Sequence, residues 1–169
     1  IYGEMIAERG VKAAFDLSWD ALDSNAQILA MYLSLFALAP FSKSLIDELL
    51  PEQDSEEIED WLTDSLVNLN LVNDLGNDWY ELHTLIRVYL QKKLEESEIK
   101  NEADKAYNLT LYKIAQRISP KTLEDIQMFS LAIPHINLAI EKGLINKDIF
   151  NDFQGIGSFG KDNFYTMRD

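Results

Sequence analysis

Apolar and polar residues alternate along most of this chain with a helical period. Val11, Phe15, Trp19 and Leu22 recur at spacings of about four and three, which gathers them on one face of a first helix. Ser24 with Gln27 three residues on has capping-box spacing and predicts the start of a second helix, "AQILAMYLSLFALA". That helix is apolar nearly all round, as a central element is, and Pro40 ends it. Ser42 or Ser44 then caps a short third helix, "KSLIDELL", which stops at Pro51. From Glu56 a fourth helix sets Ile58, Trp61, Leu62, Leu66 and Leu69 on one side.

The period then changes. "NLVNDLGNDWYELH" holds two short runs about Gly76-Asn77, a dipeptide suited to positive φ, and predicts a two-stranded hairpin over about 71–75 and 79–83. A fifth helix follows at once; it can take Thr84 as its cap and turns Leu85, Ile86, Tyr89, Leu90 and Leu94 inward. Several helices, a hairpin and a closing helix make the order of a winged-helix domain. The charged segment "ESEIKNEAD" places a boundary near Ser97. Beyond it Tyr107, Leu111, Ile114 and Ile118 share one helical face. "KTLEDIQMFSLAI" forms another helix that Pro134 interrupts or kinks, and "PHINLAIEKG" runs from a proline start to Gly143. The closing "KDIFNDFQGIGSFGKDNFYTMRD" reads as helical despite its glycines. The expected architecture is mainly α: a winged helix over 1–97, then a helical region over 98–169.

Composition narrows the function. The chain has 169 residues, 47% of them hydrophobic, enough for a buried core. It begins at Ile1 and ends without a terminating signal, so a piece of a longer polypeptide is expected. With no cysteine, disulfides, thiolate metal sites and cysteine nucleophiles are excluded. No apolar run reaches the ~18 residues that span a bilayer, and no targeting pattern opens the chain; the expected location is the cytoplasm. The net charge is −14, and no Lys or Arg lies between Lys43 and Arg87. Such a surface repels a polyanion, which argues against a DNA-binding winged helix.

Candidate chemistry is sparse. The two histidines, His83 and His135, are too far apart in sequence for a recognisable metal-ligand spacing, and His135, after Pro134, reads as structural. The block "EQDSEEIED" lacks the pattern of a calcium loop and reads as a solvated helix start. Ser18, Ser34 and Ser130 lack nucleophile-elbow glycines, and Phe15, Trp19, Tyr32 and Phe36 read as core.

Three stretches, "VKAAFDLSWDAL", "LSLFALAPFSKSLIDELL" and "LVNLNLVNDLGNDWYELHTLIRVYL", resemble the winged-helix module of NB-ARC-type signalling ATPases of the STAND class, in particular bacterial members with tetratricopeptide repeats downstream. The likeness covers roughly residues 10–94. It implies that His83 is the histidine of the MHD motif, which contacts the β-phosphate of ADP and latches the winged helix onto the nucleotide domain. Leu82 stands at the methionine position and Thr84 at the aspartate position. Neither a GxxxxGK[ST] loop nor the family's magnesium-binding acid is present, so these residues are expected to have no catalysis of their own. The implied cofactors, ADP or ATP with magnesium, belong to the parent protein. The implied partners are a nucleotide-binding domain in cis and proteins gripped by the repeats. Past Ser97 the likeness continues as a linker and the first helix of a repeat array whose period is about 34 residues. The alternative readings are a freestanding helical protein-interaction adaptor and, less favoured by charge, a DNA-binding regulator.

Overall fold

The computed structural model describes residues 2–117 and 122–142. The described chain is mainly helical, with a small three-stranded antiparallel sheet. Helix α1 spans Tyr2–Asp20 and α2 spans Ser24–Leu33. The cap of α2 is Asp23, one residue before the expected Ser24. Its extended backbone lets Oδ1 accept from the N–H groups of Asn25 and Ala26 at 2.8 and 2.9 Å, and a carboxylate also suits the positive end of the helix dipole. Gln27, freed from a capping box, donates Nε2 to the Trp19 carbonyl at 3.0 Å and joins the end of α1 to α2.

Helix α2 ends at Leu33, well before Pro40. The Ser34 hydroxyl turns back onto the Met31 carbonyl at 2.7 Å, and residues 34–40 leave the helical path. Strand β1, Phe41–Ser42, follows and then α3, Lys43–Leu49, capped by Ser42. Helix α4, Ser55–Asp60, is capped by Asp54 and widens into π-helical turns over Trp61–Val67. Ile58, Leu62, Leu66 and Leu71 are all buried at intervals of four to five, a spacing suited to a turn whose hydrogen bonds join residues five apart.

Strands β2, Asn73–Gly76, and β3, Trp79–Glu81, form the hairpin, shorter at both outer ends than the pattern predicts. The two turn residues are Asn77 and Asp78, with φ of 53° and 61°, so the turn lies one position later than Gly76-Asn77. Gly76 itself sits at φ 83° in the irregular register between Asp74 and Gly76. The sheet order is β1-β3-β2, with Phe41 opposite Tyr80. The pattern missed β1 because two residues carry no readable alternation.

Helix α5 spans Thr84–Glu95, α6 spans Lys100–Arg117 and α7 spans Leu123–Glu141. α7 runs through Pro134 without ending, where an interruption or a kink was expected. One cluster of buried residues extends from α2 through the sheet to Ala103, Tyr107 and Leu111 of α6 and Ala132, Ile136 and Ala139 of α7. Phe36 lies at its centre, 5.0 Å from Phe41, 5.6 Å from Tyr107 and 5.1 Å from the His135 ring. Ile118 and the segment after Gly143, for which helices were expected, lie outside the described residues. Among the described residues no helix is long and apolar enough to cross a membrane.

Candidate functional site

Strand β3 and helix α5 meet with two residues between them, Leu82 and His83. Leu82 is buried and anchors the junction, whereas His83 is exposed. His83, with φ −67° and ψ 144°, is itself the N-cap of α5: its Nδ1 accepts the Leu85 N–H at 3.3 Å. Thr84, expected in that role, is the first helical residue. A ring nitrogen can replace a hydroxyl as cap because it too presents a lone pair to the unpaired amides of the first turn. With Nδ1 accepting, the neutral ring carries its proton on Nε2, a donor on an exposed side chain at the positive end of a twelve-residue helix.

Apolar residues flank this donor. Leu85, expected to face inward, is 54% exposed, and Val88 is 57% exposed one turn further on. Ile86, Leu90 and Leu94 are buried as the period predicts. The core-facing side of α5 is therefore one residue narrower than expected, and Leu85 with Val88 belongs to the outer side. In α1 Val11 is likewise exposed, while Phe15 and Trp19 are half-buried; Leu22, expected on the same helical face, is buried but lies just beyond the end of the helix.

Few cations accompany His83. The nearest in sequence, Arg87, is half-buried, and its Nε donates to the Phe36 carbonyl at 2.7 Å; burial lowers its pKa from the ordinary guanidinium value. On the acidic side, Glu56, Glu57, Glu59 and Asp60 are exposed on α4, and Asp74 and Asp78 on the hairpin. Among the described residues no three His, Asp or Glu side chains gather as a metal cage. A groove of about 470 Å³ is lined by Leu35, Gln91, Leu94, Lys100, Asp104 and Lys142 among others. Lys100 is bound there to Glu95 at 3.1 Å and to Asp104 at 3.0 Å, so its charge is compensated within the groove.

His135 is the opposite of His83. It is fully buried, with Nδ1 accepting from the Ala37 N–H at 3.0 Å and Nε2 at 3.2 Å from the Pro40 carbonyl. Burial pushes its pKa down to about 4, against the hydrogen bond to Pro40, and the nearby charge of Arg87 adds to the effect. Its partners, Ala37 and Pro40, lie almost a hundred residues earlier in the chain. Sequence reasoning missed Arg87 and Gln91, which bind backbone carbonyls of residues 34–40. Their signal is two long polar side chains one turn apart on the half-buried flank of an apolar helix.

Compared with known protein families, curated proteins and solved structures, the chain matches none.

Proposed function

We propose that the chain is a non-catalytic regulatory module of the STAND class, a winged-helix domain leading into a helical repeat region. In this reading it docks on a nucleotide-binding domain and senses ADP there through His83. The observation that carries the proposal is the His83 ring itself, solvent-exposed at the start of α5 with Nδ1 fixed by the Leu85 amide. A ring so held offers Nε2–H to an incoming phosphate oxygen with little further ordering. The α5 dipole favours the same negative group.

Exposed Leu85 and Val88 beside the ring support the docking half of the reading, because a domain seated there removes both from water. The order of helices, the short strand β1 and the hairpin with β3 at the centre of the sheet support a winged helix. The acidic surface of α4 and the hairpin weighs against duplex DNA as the partner. This chain contributes one donor only; the remaining phosphate contacts and any magnesium ion belong to the nucleotide domain. When ATP replaces ADP the contact at His83 changes, and the docked and released populations shift with it.

Two measurements test the proposal. A Walker-type loop encoded upstream of Ile1 in the parent gene is required; without one, a protein-binding adaptor is the better account. In the full-length protein His83→Ala is expected to speed ADP release, and unchanged release would reduce the histidine to a helix cap.

A further inference from the structure

Residues 34–40 are gripped from two sides. From α5, Gln91 Nε2 donates to the Ser34 carbonyl at 3.2 Å and Arg87 Nε donates to the Phe36 carbonyl at 2.7 Å. From α7, His135 Nδ1 accepts the Ala37 N–H at 3.0 Å, and its Nε2 lies 3.2 Å from the Pro40 carbonyl. The Phe36 carbonyl and the Ala37 N–H are the two edges of one peptide group. A trans peptide directs them to opposite sides, so Arg87 and His135 hold the same rigid plane from opposite edges.

The donors run in one direction. Guanidinium N–H meets the carbonyl, the peptide N–H meets Nδ1, and Nε2–H meets the Pro40 carbonyl, so each bond polarises the next. The middle of the relay is buried, with Phe36 1% and His135 0% exposed, while Ala37 and Arg87 are half-buried and Pro40 at its end is exposed. Losing one partner leaves a buried polar group unpaired, which costs more than a typical intact hydrogen bond contributes. Neither helix can shift without moving the peptide or abandoning it. Tyr107 of α6 closes the far side, its hydroxyl 3.3 Å from the His135 carbonyl.

We propose that the Phe36–Ala37 peptide is a coupling joint through which a displacement of α5 is passed to α7, and the reverse. α5 is the helix capped by His83 and flanked by exposed Leu85 and Val88, so anything that binds at its start moves the joint. α7 lies beyond residue 97 and leads toward the C-terminal region. The joint does not depend on whether His83 meets a nucleotide; any load on α5 would use it.

Amide hydrogen exchange along the whole chain tests the joint, comparing wild type, Arg87→Gln and His135→Asn. Ile58→Val, a mild thinning of the core at α4, is the control for general loosening. Coupling predicts that Arg87→Gln speeds exchange at 132–141 of α7 by roughly tenfold beyond the control. His135→Asn is expected to do the same reciprocally in α5. Exchange in α7 no faster in Arg87→Gln than in Ile58→Val would overturn the proposal. Should Arg87→Gln fail to fold, Gln91→Ala decides the matter, since it removes only the Ser34 bond. Coupling then predicts a changed ring-nitrogen spectrum of His135, because freeing the Ser34 carbonyl from α5 shifts the 34–40 segment whose Ala37 N–H and Pro40 carbonyl the ring holds. An unchanged spectrum overturns it.

Discussion

The Leu85 amide donates to Nδ1 of His83 across 3.3 Å, so the residue proposed to read a phosphate is also the residue that starts α5. The two roles separate by substitution. His83→Ala removes both, and denaturant unfolding is expected to show a loss of about 1 kcal/mol, the usual worth of a cap. His83→Asn restores a cap acceptor on a shorter side chain, so stability is expected to return to within a few tenths of a kcal/mol. ADP release from the full-length protein should nevertheless stay fast in His83→Asn. Recovery of both properties together would mean that the cap alone matters.

Tyr89 on α5 donates its hydroxyl to Asp16 on α1 at 2.8 Å. Lys93 lies over the Tyr89 and Trp19 rings at 5.4 and 5.1 Å, which adds cation–π attraction between the same two helices. The ion pair and hydrogen bond from Lys12, then the bond from Tyr89, hold the Asp16 carboxyl below its ordinary pKa of 3.8. Its contribution is therefore present at neutral pH and is lost only as pH falls through that lowered value. Tyr89→Phe is expected to raise amide exchange in α1 at pH 7 while leaving α2 unchanged. Equal effects in both helices would assign Tyr89 to the general core.

Periodicity locates Ile58, Leu62 and Leu66 because a helix turns its whole buried stripe toward one neighbour, and all three are buried. It misjudges Leu85 because the first turn of a helix can project past the core, and no spacing rule reports where the core ends. The caps shift for a similar reason. Asp23 beside Ser24 and His83 beside Thr84 are adjacent residues that both carry an acceptor, and backbone angles fixed by tertiary packing choose between them. The exposed position of His83 was within reach of the sequence as the point where period two gives way to a helix. The grip on the Phe36–Ala37 peptide was not, since Arg87 and His135 lie 51 and 98 residues from their partners.

Leu62 and Leu85 share a side chain but not an environment. Leu62 is fully buried where α2 packs on the π-helical turns, and Leu62→Ala is expected to cost about 2–5 kcal/mol in denaturant unfolding. Leu85→Ala is expected to stay within about 0.5 kcal/mol, because the side chain is already largely in water. Under the proposed docking, Leu85→Ala is expected to lower affinity for a separately produced nucleotide domain. Binding unchanged in Leu85→Ala would remove this face from the proposed interface.

Acid acts on the other histidine. Free in the unfolded chain the His135 ring titrates near 6.5, whereas in the fold burial pushes it down to about 4. Protonation would place a second N–H against the Ala37 N–H, and beside Arg87 as well. Between those two pH values the unfolded state binds the more protons, so stability falls as pH drops from 6.5 toward 4 and this contribution levels off below. Over that window the loss is on the order of 3 kcal/mol for this one group. Denaturation midpoints measured at intervals between pH 7 and 4.5 are expected to slope downward with acid in the wild type and to flatten in His135→Asn, which lacks the titrating ring. If the two slopes coincide, the acid sensitivity lies in the carboxylates, and the buried imidazole is not the group that links proton uptake to the packing of α7.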